Sequence, residues 1–308
     1  MQILTVDIGT GTQDIYLYRS DLSIENGFKL VMPSPTMIVR QNIQQATLRG
    51  DTILLSGYTM GGGPTHWTVE KHIRAGYKIF ATPEAARTFI DDLDWVQREM
   101  GILVVSEEEA LSIPEAHRII MQDFDYQSIS SAFDSFGVSL SPAAVLGATM
   151  DMVIRDRDRV IIVNIGNFHT LAILLGPAGI EGFFEHHTGL LDVLRLEKYL
   201  FALADGTLAR EEIYNDYGHG ALILDTAPDS LDAQDWKVAI TGPRRAMMNT
   251  SGLPLDYTVP FGDMMLTGCF GLMNAIAEYV PELSEVIQQY LTNSTGGART
   301  LGFRINGD

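Results

Sequence analysis

Two stretches of this chain are near-copies of one pattern, and that pattern leaves few folds open. Residues 4–18 read LTVDIGTGTQDIYLY and residues 160–174 read VIIVNIGNFHTLAIL. Each is apolar and rich in β-branched residues, reaches an acid or its amide (Asp7, Asn164), passes through a glycine with small or polar neighbours, and turns apolar again. The pattern predicts strand, tight glycine turn, strand. Glycine lets backbone N–H groups approach an anion with no Cβ in the way, and Thr or Asn side chains add donors. Its recurrence in equivalent positions of two halves predicts a duplicated domain that holds one polyphosphate between the copies.

The 308 residues exceed one ordinary core and suit two. A hydrophobic share of 46% with 19% charged residues is that of a globular chain. The formal charge of −18 argues against a general nucleic-acid or anionic-membrane surface, which needs clustered Lys and Arg. A nucleotide site is still open, because backbone amides and a metal neutralise a triphosphate locally. Cys269 is the only cysteine, which excludes an internal disulfide and a cysteine-rich zinc or iron–sulfur site within the chain. The first strand, Ile3 to Ile8, follows no basic-then-apolar leader, and no apolar run reaches bilayer length. The expectation is a soluble, cytoplasmic protein.

Along the first half, further strands are predicted at Thr52–Ser56, Lys78–Ala81 and Ile102–Val105, and a helix at Thr65–Ala75. Thr82, Pro83 and Glu84 read as N-cap, first-turn proline and early acid of a helix carrying Ala85, Phe89, Leu93 and Val96 at helical spacing. Ser106 and Glu109 fit a capping box. This alternation predicts α/β architecture. Asp156 to Asp158 punctuates the chain ahead of the second hairpin, which sets lobes at 1–158 and 159–308. In the second half, Ile180–Phe184 and Lys237–Thr241 read as strands. Helices are expected at Tyr199–Ala204, Arg210–Tyr214, Met264–Val280 and Glu282–Leu291, with an edge strand at Leu301–Ile305.

Small residues gather at two further places. One is Ser141 to Ala148, with Ala143, Ala144 and Gly147; the other is Leu266 to Gly271, with Thr267, Gly268 and Cys269. Small residues let two helices cross at close range, as a hinge between lobes requires. The strand ending Thr241-Gly242-Pro243 can bring backbone against a nucleoside. First hairpin, first small-residue helix, second hairpin, Thr-Gly loop and second small-residue helix come in an order similar to that of the superfamily of actin, sugar kinases and heat-shock chaperone ATPases. More narrowly, the chain resembles a prokaryotic family whose members are often labelled pyruvate formate-lyase activating enzymes. That label implies radical chemistry at a three-cysteine cluster, which one cysteine cannot supply.

The superfamily resemblance implies duplicated ribonuclease H-like lobes around a central cleft. It implies Asp7 beside the water shell of Mg2+, and Gly9, Thr10, Gly11 and Thr12 around the β- and γ-phosphates of ATP. Gly166, Asn167 and Thr170 are implied on the same phosphates from the other lobe, and Gly242, Pro243 and Arg244 near the nucleoside. Asn164 departs from the pattern, since the superfamily usually has an acid there. An amide is no base and ligates magnesium poorly.

Other residues carry two readings each. Asp14 is a local cap or an acid behind the site. His169 at the tip of the second turn donates to a phosphate or bonds backbone, with a charge that responds near neutral pH. His186 and His187 suggest a metal, but neighbours on a strand point to opposite faces, so a joint site is not expected of the two; one of them, with His219, could face the cleft. Gly61, Gly62, Gly63 and Pro64, between strand and helix, are a specialised turn or a second-substrate pocket with His66 and Lys71. Arg244 and Arg245 bind phosphate, stack on adenine or pair with carboxylates. Cys269 reads as an inert packing residue.

The leading expectation is a two-lobed, ATP-binding phosphotransferase or slow ATPase, with Asp7 and His169 as catalytic candidates and Asn164 in a positioning role. The alternative is a regulatory or assembly protein that binds nucleotide, or none, and acts through a protein partner. A third reading, an activase bridging an iron–sulfur cluster between two subunits, needs two cysteines from each. Expected partners are a nucleotide, a small-molecule acceptor or protein, and in one version a second copy in a homodimer; nucleic acid and membrane are not expected.

Overall fold

The computed structural model describes residues 1–59, 63–113, 116–122, 140–155, 157–177, 179–224 and 237–295. The expected edge strand at Leu301–Ile305, Gly61 and Gly62 of the glycine run, and Asp156 lie outside the described residues. The chain is α/β, as its alternating pattern required. By internal contacts it divides into two compact units: one of residues 1–7, 14–30 and 136–308, the other of residues 8–13 and 31–135.

The larger unit is built on a six-stranded sheet. Strands β8 (Val160–Ile165), β9 (His169–Gly176), β10 (Gly179–His187) and β11 (Gly220–Ile223) run antiparallel in succession. Strand β12 (Lys237–Thr241) joins parallel to β8 and β13 (Leu255–Tyr257) parallel to β12, giving the order β11-β10-β9-β8-β12-β13. The unbroken apolar run of β8 follows from burial on both faces. Ile161, Val163 and Ile165 enter one core with Leu196, Tyr199, Leu200 and Leu203 of helix α8 (Val193–Ala204). The alternate residues Val160 and Ile162 enter another with Val145 and Ala148 of helix α6 (Leu140–Ala148).

A third core in this unit packs Ile3, Tyr16 and Tyr18, from strands β1 (Gln2–Ile8) and β2 (Thr12–Arg19), against Phe270 and Met273 of helix α10 (Thr267–Tyr279) and Ile287 of helix α11 (Pro281–Thr295). The predicted close crossing is real. A Cβ on Gly147 of α6 would stand 1.8 Å from the carbonyl oxygen of Thr267, and one on Gly271 of α10 would stand 1.8 Å from that of Ala143. Only glycine fits at either position.

The smaller unit carries a parallel sheet, β6-β5-β4-β7, of Leu103–Val104, Ile79–Ala81, Ile53–Tyr58 and His117–Gln122. Its core joins Ile53, Leu55, Ile79 and Ala81 to Val39 and Ile43 of helix α1 (Pro35–Arg49) and Val69 of helix α2 (Gly63–Arg74). The Ser106–Glu109 capping box forms as read. The long helix expected from Thr82 does not. It stops at Arg87, and a new turn starts at Leu93 because the Asp92 carboxylate accepts from the N–H of Trp95. Helix α1 went unread in the sequence, although Ser34 caps it, Pro35 opens it and Gly50 closes it at φ +75°.

Strand β3 (Phe28–Pro33) completes a three-stranded sheet with β1 and β2. Both halves of the chain open with a three-stranded meander followed by a helix; in the second half a further helix (Arg210–Asn215) and β11 precede β12. In the second half the meander and the later strand β12 share one sheet, whereas β3 and β4 stand in different sheets.

Candidate functional site

The two predicted turns form, and they form alike. Between β1 and β2 the chain reverses over Gly9, Thr10 and Gly11, and the N–H of Gly9 donates to the carbonyl of Thr12 at 2.9 Å. Between β8 and β9 it reverses over Gly166, Asn167 and Phe168, and the N–H of Gly166 donates to the carbonyl of His169 at 2.9 Å. Three-residue connections join only antiparallel strands. Glycine is demanded in the second turn, where a Cβ would lie 2.7 Å from the His169 oxygen; in the first a Cβ would make a tight contact, 3.2 Å from the Thr12 oxygen. Among the described residues, the N–H groups of Thr10, Gly11, Asn167 and Phe168 donate to no backbone carbonyl.

The first turn is tied to the start of α1. Ser34 Oγ donates to the carbonyl of Thr10 at 2.6 Å and accepts from the N–H of Met37, while the Ser34 N–H donates to the Gly11 carbonyl. One serine thus caps a fifteen-residue helix and fixes the glycine turn. The sequence reading placed no role on it.

The second turn is braced from β12 and β10. Gly242 reverses the chain after Thr241 at φ +97°, and a Cβ there would stand 2.5 Å from the Ile165 oxygen and 2.6 Å from Asn164 Oδ1. The N–H of Arg244 donates to the carbonyl of Ile165 at 3.0 Å, with the Pro243 and Arg244 side chains exposed. Thr188 donates its N–H to the Phe168 carbonyl at 2.7 Å. Thr170 is fully buried, its hydroxyl 2.9 Å from that of Thr188, so it holds the hairpin from inside the sheet.

Asp7 and Asn164 occupy equivalent places two residues ahead of their glycines, and a run of contacts within the larger unit leads from one to the other. Asn164 pairs across the sheet with Thr241 and abuts Gly242. The Thr241 hydroxyl lies 3.4 Å from that of Thr267, the first residue of α10. At the next residue, a Cβ on Gly268 would stand 1.9 Å from Asp7 Oδ2. Gly268 is therefore glycine to admit the carboxylate, a requirement invisible before the contact is seen. Burial pushes the Asp7 carboxyl up from 3.8 to about 6.

Cys269, beside that contact, is fully buried, and its thiol donates to the carbonyl of Asp14 at 3.2 Å. Burial, reinforced by the Asp7 charge, pushes the thiol up to about 12. It is an inert packing group, as read.

The adjacent histidines diverge as strand geometry requires. His186 is fully buried, with Nε2 3.2 Å from Asp216 Oδ2. Burial raises the Asp216 carboxyl, but the Tyr199 hydroxyl, the Arg195 charge and His186 outweigh it and hold it below its ordinary value. His187 instead pairs across the sheet with His169 and meets His219. Burial lowers His169, with Glu185 opposing, and burial also lowers His187, with its histidine neighbours adding to the effect. In the smaller unit Gly63 and Pro64 open α2, and His66 Nε2 lies 3.3 Å from Glu70.

These features define an α/β protein with a twice-built glycine hairpin, each copy preceded by Asp or Asn at the same register. The chain belongs to the family described as "Putative pyruvate format-lyase activating enzyme (DUF1786)", whose model matches residues 60–143 and 140–247, more than half its length. The narrower of the two sequence resemblances is thereby met. The three-cysteine cluster implied by that description cannot be assembled from Cys269 alone. No curated protein matches the chain.

Among solved structures, the chain is similar to the ethanolamine utilization protein EutJ from Carboxydothermus hydrogenoformans, with 11% identity, 88% of each chain covered and a TM-score of 0.30. It is similar to the activator of 2-hydroxyisocaproyl-CoA dehydratase from Clostridium difficile with bound ADPNP, at 10% identity over 92% of this chain and 97% of that one, TM-score 0.36. It is also similar to MreB5 of Spiroplasma citri bound to ADP, at 12% identity over 92% and 98%, TM-score 0.33.

Proposed function

We propose that the chain binds ATP with Mg2+ and acts as a phosphotransferase or slow ATPase, with the glycine turns at residues 9–12 and 166–169 as its phosphate grips. The observation that carries this reading is the repeated turn. The same glycine-to-carbonyl bond recurs at 2.9 Å, and the N–H groups at both tips have no backbone acceptor among the described residues. Turn N–H groups without a backbone acceptor suit the oxygens of a polyphosphate.

The residues fit the magnesium of such a ligand on one side. Asp7 offers a hard oxygen, and its burial without resolved charge compensation is the condition a divalent cation would relieve. Magnesium, when bound, neutralises phosphate charge. Asn164 orients a water or a phosphate oxygen through its amide but removes no proton. Gly242, Pro243 and Arg244 border the nucleoside, and lobes at 1–158 and 159–308 carry one turn each.

Titration calorimetry with ATP and Mg2+ tests the reading. Heat from the unmutated protein, lost in Asp7→Ala and in Gly166→Val, supports it; an unmutated protein that takes up no ATP ends it. Asn164 favours a second reading, a nucleotide-binding regulatory or assembly protein acting through a partner. Turnover raised by a small-molecule acceptor selects the phosphotransferase, and turnover changed only by a protein selects the regulator.

A further inference from the structure

Three histidines meet at one end of the six-stranded sheet, and the nucleotide reading uses only one of them. His169 opens β9 directly after the glycine turn, His187 closes β10 as its cross-strand partner, and His219 lies just ahead of β11. Ring centroids are 5.0 Å apart for His169 and His187, 5.1 Å for His169 and His219, and 4.7 Å for His187 and His219. Each ring offers a nitrogen within 4.8 Å of the others.

The backbone is shaped to bring the third ring in. Tyr217 holds φ +65° where the helix Arg210–Asn215 ends, the N–H of Gly218 donating to the Ile213 carbonyl at 2.8 Å, so this helix end also sets the start of the segment that carries His219. Gly220 follows at φ +123°, and the N–H of His219 donates to the Glu185 carbonyl at 2.9 Å. These two residues bracket His219 and turn it back over β10. From the opposite face His186 fixes the strand end, with Nδ1 3.1 Å from the His187 carbonyl and Nε2 on Asp216.

We propose that His169, His187 and His219 form a binding site for one divalent transition metal of borderline softness, zinc being the best suited. Imidazole nitrogens select zinc, cobalt, nickel or copper, whereas magnesium and calcium require oxygen ligands. Zinc–nitrogen bonds of about 2.1 Å place tetrahedral ligands about 3.4 Å apart, so modest side-chain rotations close the site. Three protein ligands leave a fourth position for water or an anionic oxygen, the arrangement of catalytic rather than structural zinc. His169 also supplies the carbonyl that closes the second glycine turn, so metal at this site stiffens that turn. The assignment stands independently of nucleotide binding.

The test uses the full chain freed of any histidine tag, stripped with chelator and titrated with Zn2+ or Co2+. About one metal per chain retained through gel filtration is expected, with the visible ligand-field absorption of four-coordinate Co2+. His219→Ala and His187→Ala, checked as folded by circular dichroism, are expected to weaken binding about 100-fold or more. His117→Ala, on β7, is expected to bind as the unmutated chain does, and excess Mg2+ to displace nothing. No retained metal, or equal affinity in a folded His187→Ala/His219→Ala chain, overturns the site.

Discussion

At the residue scale, Asp7 is a largely buried carboxylate of the first hairpin. Its carboxyl lies against the first turn of α10, and burial raises it to about 6 from 3.8. Between those values the folded chain binds more protons than the unfolded one. The stability linked to Asp7 is full below about 3.8 and is lost as pH rises through about 6. Asp7→Asn removes the charge and keeps the shape, so it raises thermal stability at pH 7 by about 1–3 kcal/mol and flattens the stability–pH slope between pH 4 and 6. Thermal melts across that range check both. If Asp7 holds magnesium as proposed, Mg2+-dependent ATP binding by the unmutated chain, measured by calorimetry, is expected to weaken as pH falls through about 6, because protonation removes the hard ligand. An unchanged affinity at pH 5 contradicts that role for Asp7.

At the scale of elements, the crossing of α6 and α10 depends on two absent methyl groups. Gly147→Ala or Gly271→Ala forces backbone against backbone and costs about 2 kcal/mol or more, measurable as a fall in the urea midpoint. A second element-level device is the ion pair of Arg159 and Glu181, whose bidentate bonds are both 2.8 Å. Glu181 is 2% exposed at the β10 irregularity between Ile180 and Gly182. Arg159→Ala leaves that carboxylate buried and unpaired and destabilises by about 2–3 kcal/mol, whereas Arg159→Ala with Glu181→Ala recovers part of the loss. A double-mutant cycle in urea decides the matter, and additive losses contradict the coupling. The helices at this scale were legible where a cap or an apolar period was local. The restart at Asp92 was not, because the apolar period from Ala85 to Val96 runs through the break.

For the whole molecule, 39 acidic against 21 basic residues leave a net charge of −18. Self-repulsion at that charge is screened by salt. Raising NaCl from about 0.01 M to about 0.5 M is therefore expected to raise the melting temperature by a few degrees, and a fall contradicts charge repulsion as a global term. No helix among the described residues is long and apolar enough to cross a membrane.

The two glycine hairpins and the buried strands β8 and β12 were written locally. Each depends on a residue and its near neighbours in the chain: a glycine where a carbonyl closes a turn, a β-branched run buried on both faces. Tertiary structure alone decided the rest, because contacts between distant segments leave no mark at either one. Gly268 makes room for Asp7 across more than 250 residues of sequence, Ser34 fixes a turn made by Thr10 and Gly11, and three histidines from separate segments share one point. Period-two geometry foretold that His186 and His187 would part, but only the folded sheet could choose which of them meets His169.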